Sequence, residues 1–334
     1  MTVTTSIWIA TVGVILGLLL FDLLTSTRKA HDVSFREATF WSIFYIAVAI
    51  IFGAWVWSEF GAQFGKEYFA AYIVEKSLSV DNLFVFLIIL TNFAIPSIYH
   101  QRVLMVGIVL ALVMRAIFIA IGAAALNAFA FTFVIFGAIL LWTGVKLFQH
   151  WDEDPDPTEN PIVKFVQRKF PFTNEYHGGK IFIKENGKRI ATPLLLVMIA
   201  IGATDLLFAL DSIPATFGVT QETFLVFAAN AFALLGLRAL YFLIKNLVNK
   251  LIYLSLGLAV ILIFIGGKLI LVWAHKEWES VPKISTNVSL AVIGLILVVS
   301  TVASLIKSKR DPSARAHAGR MSDPKKEKKK EKKN

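Results

Sequence analysis

Residues 192–217 read TPLLLVMIAIGATDLLFALDSIPATF, twenty-six positions whose only charges are Asp205 and Asp211. About 20 apolar residues in a helix cross roughly 30 Å of hydrocarbon, so this stretch is long enough to span a bilayer. Its apolar residues are not confined to one stripe, as they are in a helix that covers a soluble core. Two carboxylates inside such a run are costly to bury, and they tie the question of fold to that of function.

Comparable runs fill the chain. They lie at 7–26, 40–58, 68–93, 103–121, 124–148, 192–217, 222–244, 251–273 and 286–306, giving nine expected crossings. They are continuous, and too long for the alternating strands of about 10 residues in a membrane β-barrel. Apolar residues make up 57% of the 334 positions and charged residues 17%, more apolar than one soluble core requires. The expected fold is an all-α polytopic bundle. No Lys or Arg precedes the first run, and Arg28 and Lys29 follow it, so it is expected to persist as a helix rather than be cleaved as a signal. The chain has no cysteine, which excludes disulfides, thiolate ligands and thiol redox motifs.

Basic residues in short loops resist translocation. With nine crossings, the loops and tail on one side hold 25 Lys and Arg, and the other side holds only Lys66, Lys276 and Lys283. The expected location is the bacterial inner membrane, N-terminus outside and C-terminus in the cytoplasm. The expected organisation is two N-terminal helices (1–67), a first three-helix repeat (68–149), a cytoplasmic loop (150–190), a second three-helix repeat (191–274), a C-terminal helix (275–310) and a disordered basic tail (311–334). The run Lys325–Lys333 either stays solvated or touches anionic headgroups. Nothing else supports nucleic acid as a partner.

The repeat shows when intramembrane charges are aligned. Glu75 and Asp81 lie six apart, as do Asp205 and Asp211. Gly107-Ile-Val-Leu-Ala-Leu-Val-Met-Arg115 answers Asn230-Ala-Phe-Ala-Leu-Leu-Gly-Leu-Arg238, and Gly144-Val-Lys146-Leu147 answers Gly266-Gly-Lys268-Leu269. The offsets are 130, 123 and 122 residues. A unit of three crossings is odd, so its second copy must enter from the opposite face, an inverted repeat of the kind found in secondary transporters.

Four carboxylates at about 2.5–3.5 kcal/mol each would cost roughly 10–14 kcal/mol if each stood alone at the bilayer centre. Glu75, Asp81, Asp205 and Asp211 must therefore meet one another, a cation, water or basic partners. One reading is structural, with Arg115, Arg238 and Lys76 as counter-charges. The other is a cation site, favoured by Ser, Asn and Pro clustered at matched points, in Ser77-Leu-Ser-Val-Asp-Asn82 and Asp211-Ser-Ile-Pro214. Positions six apart point about 120° from each other on an ideal helix. Converging acids therefore require breaks near 77–82 and 211–214, where Pro214 removes a backbone donor and Ser77 and Ser79 compete for backbone partners.

Asn82 adds an oxygen ligand. Asp22 either lines a pathway or snorkels to the interface, and Asn230 is either a ligand or a packing hydrogen bond. His31, His100, His150, His177, His275 and His317 all fall in loops, at helix ends or in the tail. The buried donors are then oxygens, which suit Mg, Ca or Mn rather than Zn or Cu(I). Protons are the competing cargo, and antiport admits both. An intramembrane protease lacks its motifs here, with no His-Glu-x-x-His and no Gly-x-Gly-Asp at either aspartate. An interaction scaffold accounts for the helices but not for the buried acids.

Glu75-Lys-Ser-Leu-Ser-Val-Asp-Asn-Leu-Phe-Val-Phe86 and Asp205-Leu-Leu-Phe-Ala-Leu-Asp-Ser-Ile-Pro-Ala215 closely resemble the TerC family, its Alx branch included. Leu235-Gly-Leu-Arg-Ala-Leu-Tyr-Phe242 and Ala191-Thr-Pro-Leu194 are also similar to it, and the likeness extends to about residue 306. The resemblance implies a membrane transporter exporting Mn²⁺ as cargo, with no tightly bound cofactor, a part in metal homeostasis, and the historical label of tellurium resistance. It also implies a link to metal loading of secreted enzymes, through membrane or secreted protein partners. Many relatives carry a glutamate three residues before the first aspartate of the second motif, and this chain has Gly202 there.

Overall fold

A computed structural model describes residues 1–27, 33–93, 95–152, 173, 180–185, 188–244, 251–278, 280–282 and 284–311. In chain order the elements are α1 (Thr5–Thr27), α2 (Phe35–Phe60), α3 (Ala62–Asn92), α4 (Ser97–Ala128), α5 (Thr132–Gln149), β1 (Phe182–Glu185), β2 (Lys188–Ala191), α6 (Pro193–Val219), α7 (Thr223–Leu234), α8 (Leu237–Ile244), α9 (Leu254–Glu277) and α10 (Thr286–Arg310). β1 and β2 form one antiparallel pair, with Phe182 opposite Ala191. The protein is an all-α polytopic bundle. Most of the expected 150–190 loop and the tail after Asp311 lie outside the described residues.

Local sequence sets the helix starts. Ser34 accepts the Glu37 N–H at 3.2 Å, the first half of a Ser-x-x-Glu capping box. Pro193 opens α6, where its missing N–H and fixed φ cost nothing.

Among the described residues, seven helices (α1, α2, α4, α5, α6, α9 and α10) are long and apolar enough to cross a membrane. α7 and α8 qualify together, bent by 43° at the break between them. α3 has 31 residues, about 45 Å at 1.5 Å each, but carries Lys66, Glu67, Glu75, Lys76 and Asp81 and so falls outside that apolar set. The nine expected crossings thus resolve into seven apolar helices, one bent pair and a charged helix.

The breaks expected near 77–82 and 211–214 do not occur, because α3 and α6 run straight through both stretches. Ser77 returns its hydroxyl to the Ile73 carbonyl at 2.7 Å, within its own helix. Pro214 removes a single donor, and residues 211–219 around it are buried against neighbouring chain that keeps the helix in place. The chain breaks instead at Leu235 and Gly236, with Gly236 at φ +76°. A Cβ there would adopt a conformation that L residues disfavour and would stand 2.6 Å from Tyr45 Cβ.

Packing gathers the elements into two units. The first comprises α1–α4, the hairpin and α6–α8. Within it α3 packs along α7 and α4 along α6, α3 also meets α6, and α2 lies against α3 and α8. The second comprises α5, α9 and α10, with α5 and α9 in antiparallel contact. Glycines permit that approach: a Cβ on Gly144 would stand 2.9 Å from the Ala259 carbonyl, and one on Gly266 2.9 Å from the Gly137 carbonyl. Each sequence repeat is therefore divided, its first two segments in one unit and its third in the other.

Candidate functional site

Arg115 of α4 is 1% exposed. A guanidinium has five N–H donors in a fixed fork and no acceptor, and here each donor finds a partner. Nε donates to Asp205 Oδ2 at 3.3 Å and Nη2 to Asp205 Oδ1 at 3.2 Å, a bidentate pair. Nη1 donates to Glu75 Oε2 at 3.0 Å and to Ser212 Oγ at 3.2 Å. The second Nη2 hydrogen goes to Asn82, whose amide is oriented with its oxygen 3.2 Å away and its nitrogen donating to the Leu78 carbonyl at 3.0 Å. Glu75, fully buried, also receives the Thr216 hydroxyl at 2.5 Å.

Helix geometry explains the selection. Glu75 with Asn82 and Asp205 with Ser212 are spaced by seven, close to two full turns, so each pair shares one face of an unbroken helix. The two pairs occupy matched places in the sequence repeat, at the offset of 130 residues. Asp211 follows Asp205 by six and lies about 120° further round α6; it is buried, at 6% exposure. The side chain of Asp81 lies outside the described residues. Among the described residues, no three His, Asp or Glu side chains come together as a group that could hold a metal. Glu75 and Asp205 meet instead on Arg115.

The other candidates are placed apart from this hub. Asp22 is buried and gripped by Arg238, with Nη2 to Oδ1 at 2.6 Å and Nε to Oδ2 at 3.3 Å, so it is not turned out to the interface. Arg238 follows the break at Gly236 and is spent on that pair. Lys76 reaches the Ala233 carbonyl at 3.1 Å, in the last turn of α7, where a cation also suits the helix dipole. Asn230 is 1% exposed, and its amide nitrogen has no hydrogen-bond partner. His100 is buried at the start of α4 between the Ile95 carbonyl and the Tyr241 hydroxyl.

Sequence reasoning missed Thr216, and it took Ser212 only as part of the Asp211-Ser-Ile-Pro214 cluster, although spacing by seven from Asp205 points to it directly. It also missed Glu67, which falls one residue before the apolar run 68–93 yet inside α3, and is 8% exposed. Two carboxylates face one guanidinium at the hub, and neither Lys76 nor Arg238 adds a compensating charge there.

These features define a multi-pass helical membrane protein with a buried polar centre in which, among the described residues, two carboxylates share one guanidinium. The narrower assignment comes from comparison: the chain belongs to the TerC family, since the profile described as "Integral membrane protein TerC family" matches residues 60–312. An uncharacterized membrane protein of Myxococcus xanthus is 42% identical over 94% of this chain and 97% of its own. One from Mycobacterium tuberculosis is 44% identical, over 94% of this chain and 83% of the relative. The Alx protein of Salmonella typhi, named as a candidate membrane-bound redox modulator, is 36% identical over 94% and 98%. No solved structure matches.

Proposed function

We propose that this protein exports a divalent metal cation, Mn²⁺ foremost, through the buried carboxylates of α3 and α6. The charge count at Arg115 carries the proposal. Among the described ion pairs, Asp22 and Arg238 match one acid to one base. At the hub, the described ion pairs set two acids, Glu75 and Asp205, against one base, Arg115. An uncompensated buried charge is expensive, so the excess favours a mobile cation or a proton as the missing partner. The oxygen donors suit a hard cation. The redox description of the Salmonella relative finds no thiol here, because the chain has no cysteine.

The proposed orientation, N-terminus outside and C-terminus inside, follows the basic residues. An inverted repeat is part of the proposal, and packing within the second unit supports it. A Cβ on Gly144 would stand 2.9 Å from Ala259 O and 3.0 Å from Ile263 N; one on Gly266 would stand 2.9 Å from Gly137 O and 3.0 Å from Leu141 N. Positions 137, 141 and 144 answer 259, 263 and 266 at the offset of 122, so the contacts exchange as a two-fold axis across an antiparallel pair requires.

A second reading has one observation in its favour. All five N–H groups of Arg115 are satisfied, as in a knot that only holds helices together, and the protein would then be a scaffold for metal loading or tellurium resistance. Everted vesicles separate the two when Mn²⁺, Ca²⁺, Mg²⁺ and Zn²⁺ are offered in turn. Export predicts accumulation of Mn²⁺ that depends on the protein; accumulation of none of the four sinks the transport proposal.

A further inference from the structure

Glu67 is buried in α3 and has two neutral donors, Gln63 Nε2 at 3.2 Å and the Thr220 hydroxyl at 2.7 Å. No described cationic group stands within ion-pair distance of it. It precedes Glu75 by eight residues, about 12 Å along the helix axis. Both glutamates receive a threonine hydroxyl from the end of α6, Glu67 from its C-cap residue Thr220 and Glu75 from Thr216, one turn apart. The α3–α6 seam thus sets a carboxylate on a hydroxyl at two levels, with the small, fully buried Ala71 on the same face of α3 between them.

Beside this stretch, on α3 and α7, two buried polar atoms find no partner in the protein. Tyr72 of α3 is stacked on Tyr68 at 6.2 Å and is 7% exposed, and its hydroxyl has no hydrogen-bond partner. On α7, which packs along α3, the Asn230 amide nitrogen is likewise unpartnered, one turn before the Ala233 carbonyl that Lys76 holds. Buried polar atoms of this kind are where water resides. At the Thr220 end, Thr220 is itself buried, its oxygen accepts the Glu222 N–H at 3.3 Å, and the Glu222 carboxylate, 33% exposed, takes the N-terminal ammonium of Met1 at 3.0 Å.

We infer that the α3–α6 seam, from Thr220 down to Glu75, is the watered route along which the cation passes between the hub and the membrane face bearing Gly61 and Thr220, with Glu67, at the Thr220 end, selecting for positive charge. The nature of the cargo rests on the transport proposal above. The route itself does not, since it is a claim about access.

The absence of cysteine makes access measurable. Thr220→Cys is a small change near the mouth, and Tyr72→Cys lies deeper. In the full chain in liposomes, both are expected to react with a small cationic methanethiosulfonate faster than with an anionic one of the same size. Ile73→Cys, on α3 at a position 38% exposed, is expected to face lipid and react with neither. Adding Glu67→Gln to either cysteine variant is expected to abolish the preference for the cationic reagent while leaving the neutral-reagent rate unchanged. No reaction at 72 under conditions that label 220 would close the route and overturn the inference. An unchanged cation preference after Glu67→Gln would overturn the role of Glu67. Should vesicles show no metal transport while this labelling pattern holds, the export proposal fails and the route stands; transport without the pattern leaves export standing and removes the route.

Discussion

Replacing Glu75 by Gln and Asp22 by Asn removes one buried carboxylate in each case, yet the two changes should differ sharply in cost. Asp22 is the partner that the described ion pairs give Arg238, and both groups are almost fully buried. Asparagine leaves that guanidinium uncompensated, which costs roughly 3–5 kcal/mol. At the hub, Glu75→Gln leaves Arg115 its bidentate pair with Asp205 and brings the count to one acid against one base. What is lost is a charge-assisted hydrogen bond exchanged for a neutral one, about 1 kcal/mol, and relief of carboxylate repulsion offsets part of it. At about 2–4 °C per kcal/mol, Asp22→Asn should lower the melting midpoint by about 6–20 °C and Glu75→Gln by no more than about 4 °C. Thermal stability in detergent, read by the surviving monodisperse fraction, measures both. If Glu75→Gln falls as far as Asp22→Asn, the hub is a balanced structural bridge and the excess-charge reasoning is wrong.

Cells made manganese-sensitive and rescued by this protein should lose the rescue with Asp81→Asn, while the variant still inserts, because removing a charge from a membrane segment eases insertion. Near-normal rescue would favour the structural reading of the acids. A reporter fused at residue 65 should give a periplasmic signal and one at residue 170 a cytoplasmic signal; the reverse pattern overturns the orientation. Gly236→Ala should cost about 1–2 kcal/mol for its left-handed φ, and more for the 2.6 Å approach to Tyr45. An unaltered melting midpoint would contradict the break at that residue.

The apolar runs announced the helices because a bilayer demands unbroken lengths of them, and α1, α2 and α10 lie close to where they were expected. α3 was harder to bound. Its first turns carry Lys66 and Glu67, so a hydropathy window trims them away, and with them goes a buried carboxylate. The acids stood out in the sequence as charges among apolar residues, but their partners did not. Spacing by six suggested a forced convergence and hence a break; the helices stay whole and use spacing by seven, which recruits Asn82 and Ser212 instead. Arg115 and Arg238 match in the repeat yet choose different partners, since α1 presents Asp22 to only one of them. That asymmetry depends on packing between segments far apart in sequence, which no local pattern reports.

If the buried carboxylates of this protein carry a divalent cation across the membrane, purified protein should do so without other transporters present. Liposomes of defined lipid, loaded with a Mn²⁺-quenched fluorophore, provide the test. Saturable quenching is expected on adding Mn²⁺ to liposomes holding the wild-type protein, and none above empty liposomes with Asp211→Asn. No quenching in the wild type, or equal quenching in the two, would contradict transport through these acids.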